Sequence, residues 1–397
     1  MKRVLMVAFH FPPLAGSSGI QRSLRFVQHL PESGWQPLVL TAHPRAYERT
    51  SDDLGDDVPV GTVVRRAFAL DTARHLSVGG RYVGAMARPD RWMSWRFDAV
   101  RQGLRMIDEY RPDAIWTTYP IATAHVIGAA LHARTGLPWI ADFRDPWTWR
   151  DRHGYNWSAD RRGAAATERA VLRHASALTT IGQSLGEELA ERAGREVVVL
   201  PHGIPLERVD VEPRTDERLE LVHAGTANEP FADLTPIARA LLRLHELDMP
   251  ARLTLFGPVE YRPSELDHAE ALGLVEVKGN VSRQDAQRAA ASADVALLVR
   301  KHPSTIWVTT KLWDYLAART PVLVVANPEC DAAKIVRETR SGWTVPYDED
   351  AVVAALAQAY ERRRAGESLW TPDEEALARY DAKAISRRFI ELLLALR

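Results

Sequence analysis

Residues 4–41 read VLMVAFHFPPLAGSSGIQRSLRFVQHLPESGWQPLVLT. The apolar run 4–9 has the length of a buried strand, and the Pro/Gly/Ser stretch from His10 to Gly19 is a loop. Ile20, Leu24, Val27 and Leu30 then recur at helical spacing before a second apolar run at 37–41. That succession is one βαβ unit, the connection that parallel strands require.

The alternation continues outward. Strands are predicted at 114–118, 138–143, 177–181 and 197–200, with helices such as 121–134 and 164–174 between them. Residues 204–218 are polar, carry Pro205 and Pro213 and keep no apolar period, which marks a linker. A second run follows, with strands predicted at 219–223, 253–256, 275–278, 295–299, 321–325 and 343–345. At 397 residues the chain suits two α/β cores better than one. The expected organisation is therefore α/β, with two facing Rossmann-like domains of parallel sheet at 1–204 and 218–375 joined by a linker at 205–217. A terminal segment, 376–397, holds an apolar-faced helix with no strand after it.

Composition narrows the function classes. A formal net charge of -1 supplies no field of the kind nucleic-acid binding uses. Cys330 is the single cysteine, so no intrachain disulfide, thiolate zinc site or CxxC pair can form, which fits a reducing cytoplasm. The first apolar run is too short for a signal-peptide core or a spanning helix.

Three stretches carry chemistry. In the loop from His10 to Gly19, Gly16, Ser17, Ser18 and Gly19 lie between a strand and a helix, where backbone N–H groups cradle an anion; a tight turn without ligand reads from the same glycines. The glycines do not complete GxGxxG, and no acidic residue follows the next strand at the ribose position, which counts against a dehydrogenase. Residues 139–147 end a buried strand in Asp142, Arg144, Asp145 and Trp147, at the sheet edge where ligands bind; an internal Asp–Arg brace is the alternative reading. His125 sits early in the helix after another strand and is open to either a structural or a cleft role. In the second half, Thr309 and Thr310 start a helix with Lys311 in its first turn and Asp314 one turn on. A cation against the positive helix end is unfavourable unless an anion is bound there, which points to a diphosphate, with Asp314 placed to accept ribose hydroxyls.

With Phe11, Pro12, Pro13, Gly16 and Gly19 in the first loop, residues 141–147 in the first half and residues 311–317 with Pro321 in the second, the chain resembles glycosyltransferase family 4, retaining enzymes of GT-B fold. The resemblance covers nearly the whole chain. It implies that the last helix crosses back onto the N-terminal domain, and that a nucleotide diphosphate-sugar lies mainly on the C-terminal domain with the acceptor on the N-terminal one. Donor contacts are then expected from Gly16, Ser17, Ser18, Gly19, Thr226, Arg300, Thr309, Thr310, Lys311, Leu312 and Asp314, and acceptor contacts from Arg22, Arg144, Asp145 and Trp147. His125 and Asp142 are the expected catalytic residues. The resemblance implies no cofactor and no essential metal. It departs from the family where Ile306 replaces the first acidic residue of the Glu, seven residues, Glu pattern, and where no basic residue closely follows Gly225; Lys311, Arg300 or Lys301 would compensate.

The leading expectation is a cytoplasmic transferase serving surface polysaccharide or glycolipid synthesis. A nucleotide-sugar-binding protein that has lost transfer and a GT-B sugar-nucleotide epimerase remain alternatives. The partners expected are the donor, a glycan or glycolipid acceptor and, through the Arg/Trp-rich region 65–111, the anionic inner face of a membrane; an arginine-rich solvated helix face reads equally well from that region.

Overall fold

The structure, a computed structural model, describes residues 1–17, 19–52, 55–148, 161–205, 211, 214, 216–229 and 231–396. Ser18 and most of the expected linker lie outside them. The described chain divides into two compact units, residues 1–202 with 382–397, and residues 203–381.

In the first unit, the described strands are β1 (Lys2–Val7), β2 (Trp35–Ala42), β3 (Val63–Ala67), β4 (Ala114–Thr118), β5 (Trp139–Phe143), β6 (Ala177–Thr180) and β7 (Val198–Val199). They form one parallel sheet in the order β3-β2-β1-β4-β5-β6-β7. In the second unit, β8 (Leu219–Ala224), β9 (Ala251–Phe256), β10 (Val275–Gly279), β11 (Val295–Val299), β12 (Val322–Val325) and β13 (Gly342–Val345) form another parallel sheet, β10-β9-β8-β11-β12-β13. The two orders share one consequence. Chain direction across the sheet reverses between β1 and β4 in one unit and between β8 and β11 in the other, and crevices for ligands open at the carboxyl ends of those strands.

The α/β class and the two parallel sheets agree with the sequence reading. One strand was missed: β3, with sequence VVRRA, is a half-buried edge strand whose arginines break the apolar run expected of a central one. Arg65 pairs with Glu109 and Arg66 reaches the Pro12 carbonyl, so the edge carries charge where it has no further strand to pair with.

The final helix, Ala382–Ala395, belongs to the first unit, as the resemblance implied. Ile385, Phe389 and Leu393 repeat at helical spacing and bury against the helix Gly19–His29, where the Phe26 and Phe389 rings stack with centroids 4.4 Å apart. Burying one such phenylalanine stabilises by about 1.5–3 kcal/mol, enough to dock a helix with no strand of its own.

Candidate functional site

Each unit gathers expected site residues at its own sheet reversal. In the second unit, β8 runs into Gly225, whose φ of 138° suits glycine, and a side chain there would collide with the Cε and Nζ of Lys311. The lysine thus lies across a bare backbone turn. Helix Thr310–Ala317 brings it there: Thr309 caps the helix by accepting from the Lys311 N–H at 3.4 Å, and Tyr315 Oη accepts from the Ala224 N–H at 2.9 Å, tying helix to strand end.

A cavity of about 220 Å³ opens at this point, lined by His223, Thr226, Asn228, Phe231, Arg300, Trp307, Thr309 and Lys311 among others. Its lining contains no carboxylate. Burial pushes the Lys311 ammonium down to about 8, and no carboxylate pairs with it among the described residues. His223 offers no countercharge: it donates Nδ1–H to the Leu297 carbonyl at 3.1 Å, while burial and then the charge of Lys311 push it down to about 3. Its Nε2 is buried without a partner. The Arg300 guanidinium lies 5.7 Å from the Phe231 ring centroid and 5.5 Å from that of Trp307.

Of the residues expected on the donor side, Thr226, Arg300, Thr309 and Lys311 line this one cavity. Thr310 and Asp314 are partly exposed on the same helix. The Leu312 side chain is fully buried in the core with Val222, Ala296 and Leu298 and is not among the residues that line this cavity. Lys301, weighed as a substitute cation, is held by Glu229 and Asp233, each at 3.0 Å. His223, Phe231 and Trp307 were not anticipated. The last of these sits beside Ile306, so an aromatic ring lines the cavity near the place where the family pattern has an acid.

In the first unit, β1 leads into His10 and the loop through Gly16 and Ser17, and β4 leads into Tyr119. The Ser17 hydroxyl accepts from the Gly19 N–H at 3.2 Å and lies 3.0 Å from His10 Nδ1. Arg144, from the turn after β5, donates through Nε to the Tyr119 carbonyl and places Nη2 3.4 Å from His10 Nδ1. Gly19 has to be glycine here, because a side chain would occupy the place of the His10 ring and the Arg144 guanidinium. Burial, then the charge of Arg144, push His10 down to about 3.

His125 is fully buried beneath Tyr119, Phe143 and Trp147. The Thr117 hydroxyl accepts from Trp139 Nε1 at 2.8 Å and lies 2.7 Å from His125 Nδ1, while Nε2 is buried without a hydrogen-bond partner. Burial pushes this histidine down to about 3 although Asp142 opposes the shift, so the ring is neutral.

The parallel register places Thr118, Asp142 and Thr179 side by side on β4, β5 and β6. Both hydroxyls donate to the carboxylate, at 2.8 and 2.7 Å, and Arg22 grips it at 2.7 and 3.3 Å while also donating to the carbonyls of Leu200 and Pro201. Arg22 is 1% exposed and Asp142 0%. Asp142, expected to be catalytic, and Arg22, expected to meet the acceptor, thus have their polar atoms committed to each other and to the scaffold; they brace the β5 turn. Trp147 likewise packs on Tyr119 and His125 instead of presenting an open face. Asp145 is partly exposed at the turn, and Gly16 is exposed at the loop tip with φ 75°.

Residues 18–203 match the glycosyl transferase 4-like domain family, and residues 218–362 match the glycosyl transferases group 1 family. No curated protein matches the chain. Among solved structures, sucrose-phosphate synthase from Thermosynechococcus elongatus is similar with a TM-score of 0.67 at 16% identity, covering 100% of this chain and 99% of that one. HepE of Anabaena, in complex with UDP-glucose, gives 0.65 at 14% identity with 100% of both chains covered. WaaG, a glycosyltransferase involved in lipopolysaccharide biosynthesis, gives 0.62 at 13% identity, with 98% of this chain and 99% of that one covered. Two family matches that take in most of the sequence, carried on two parallel sheets reversing at their ligand crevices, establish that the chain belongs to the glycosyltransferases of GT-B fold.

Proposed function

We propose that this enzyme is a retaining transferase of the family 4 type, taking a sugar from a nucleotide diphosphate donor held on the C-terminal unit to a hydroxyl of an acceptor held on the N-terminal unit. The observation that carries the reading is the Lys311 ammonium, pressed over Gly225 without a carboxylate partner in a cavity shared with Thr226, Arg300 and Thr309. A partly buried cation with no ion-pair partner among the described residues is costly, and a diphosphate supplies what it lacks. HepE, of the same fold, was solved with UDP-glucose.

In the reaction proposed, the bond from the anomeric carbon to the diphosphate oxygen breaks as the acceptor oxygen bonds to the same face. The acceptor's proton passes to the departing diphosphate. The protein's share is electrostatic: Lys311, the backbone at Gly225 and the start of helix Thr310–Ala317 meet the charge that develops on the leaving group, with no cofactor or essential metal required. His125, neutral and fully buried beneath Tyr119, Phe143 and Trp147, would act on the transferred sugar through the aromatics that it supports. Asp142 positions and does not react.

The test is a panel of UDP-, GDP-, ADP- and dTDP-sugars screened for turnover, with product configuration read by NMR. Turnover of at least one donor with retained configuration is expected, and His125→Ala should lower turnover more than donor affinity. An inverted product, or equal mild losses in both parameters, would overturn the assignment.

WaaG's pathway favours a surface glycan or glycolipid as product. No helix among the described residues is long and apolar enough to cross a membrane. Contact with an anionic bilayer would come from residues 72–89, which contain Arg74, Arg81 and Arg88 and no acid, and which expose Val78, Val83 and Met86. Cosedimentation with anionic vesicles, absent with zwitterionic ones and reduced by Val83→Asp, is the expected result.

A further inference from the structure

We infer that the N-terminal unit carries an anion site of its own, built by Arg144 at the start of helix Gly19–His29, and that it receives a phosphate group borne by the acceptor. Arg144 is 7% exposed. Its Nε is spent on the Tyr119 carbonyl and its Nη2 faces His10 Nδ1, while Nη1 has no hydrogen-bond partner among the described residues. No carboxylate lies within ion-pair distance of it there. Asp142, two residues before it, is saturated by Arg22, Thr118 and Thr179.

Asp145 and then Asp142 offset the cost of burying this guanidinium only in part, from beyond ion-pair distance, and the net direction is still downward, to about 10. The guanidinium packs where the side chain of Gly19 would stand, at the first residue of an 11-residue helix, so a buried cation meets the positive end of a helix dipole. His10 and His202 stay uncharged. Burial lowers both, and the charges of the neighbouring arginines lower them further, leaving His202 Nδ1 buried without a partner. Arg22 and Arg25 flank the same histidine. The Ser17 hydroxyl already accepts from the Gly19 N–H, so the open guanidinium edge is what an anion seated against Nη1 would satisfy, and charge-assisted N–H···O bonds from arginine fit a phosphate.

A phosphate here could come from the donor's diphosphate or from the acceptor. The acceptor is favoured because the C-terminal unit holds a separate cation, Lys311, in its own cavity, so two cations on two units, neither with an ion-pair partner among the described residues, call for two anionic groups. The assignment of the second anion rests on the donor reading of the Lys311 cavity.

The test uses the full-length enzyme and calorimetric titration with two probes: UDP, GDP, ADP and CDP for the donor side, and glycerol 3-phosphate, against glycerol, for the Arg144 side. Arg144→Gln should weaken glycerol 3-phosphate about ten- to a hundredfold while changing nucleoside diphosphate affinity less than about twofold. Lys311→Met should do the reverse. Arg144→Lys, which keeps the charge, should retain part of the binding, and Gly19→Ala, which fills the seat and keeps the arginine, should lose it; these two serve if Arg144→Gln fails to fold. Failure of glycerol 3-phosphate to bind, or binding indifferent to Arg144 and Gly19, overturns the site. Equal loss of nucleoside diphosphate in Arg144→Gln overturns the acceptor assignment, because the anion is then the donor's. Nucleoside diphosphate binding that ignores Lys311→Met defeats the donor reading instead and leaves the phosphate arm to judge Arg144 by itself.

Discussion

Lys311→Met is expected to slow glycosyl transfer by about a hundred- to a thousandfold and to leave the ligand-free enzyme as stable as before or more so. On the proposed reading the rate falls because the ammonium would face the oxygen on which negative charge develops, and Lys311 is the one lysine among the described residues of the cavity lining. Stability holds because methionine can follow a similar path over Gly225 without carrying an unpaired charge into burial. The pH dependence has a definite sign. Burial lowers the folded-state lysine from 10.5 to about 8, so between those values the unfolded chain binds more protons and ligand-free stability rises with pH. A bound diphosphate restores the charge, so binding takes up a proton above about pH 8, and donor affinity falls there by up to about tenfold per pH unit. Both dependences should vanish in Lys311→Met. Steady-state kinetics, donor titrations and melting curves from pH 7 to 10 check this, and a wild-type rate or an unchanged affinity profile would sink the role given to Lys311.

Asp142→Ala should cost about 3–5 kcal/mol of stability. The substitution strands a fully buried Arg22 and removes the acceptor for the Thr118 and Thr179 hydroxyls, so desolvated donors on three elements lose their partner together. Burial pushes the Asp142 carboxyl up, but Arg22 and then the two hydroxyls outweigh it and hold the group below its usual range. Its stabilisation is therefore fully present above the ordinary carboxylate pKa and is lost as pH falls through the lowered folded value. The double variant Arg22→Met with Asp142→Leu removes both charges and should recover most of the loss. Urea unfolding of the two variants beside the wild type measures it; Asp142→Ala costing less than about 1 kcal/mol would show that the pair does not brace the β5 turn.

How much of this was legible beforehand depends on the range of the interaction involved. The strands of both sheets follow from apolar runs of strand length, and only β3 escaped, since VVRRA at an edge need not be apolar. The anomaly at Lys311, a cation in a helix's first turn, is legible locally because Thr309, Thr310 and the lysine are adjacent in the chain. Asp142 was misjudged for the opposite reason. A polar residue at a strand end looks like a ligand group until its partners are known, and Arg22 stands 120 positions away. Leu312 and Trp147 were misplaced because neither motif tells which side chain turns inward. His223 and His10 give one faint signal each, a histidine where a buried strand meets a glycine or proline turn.

The amino-acid order by itself determined the α/β class, the parallel sheets and the apolar face of the last helix, because hydrophobic spacing and turn chemistry act over a few residues. Strand order, the Thr118–Asp142–Thr179 register and the pairing state of each buried charge were settled by tertiary packing alone. A charge is neutralised or left open by whatever the fold brings within a few ångströms of it. For that reason Asp142 and Arg22 form an ion pair in the scaffold, while Lys311 and Arg144 have no carboxylate within ion-pair distance among the described residues.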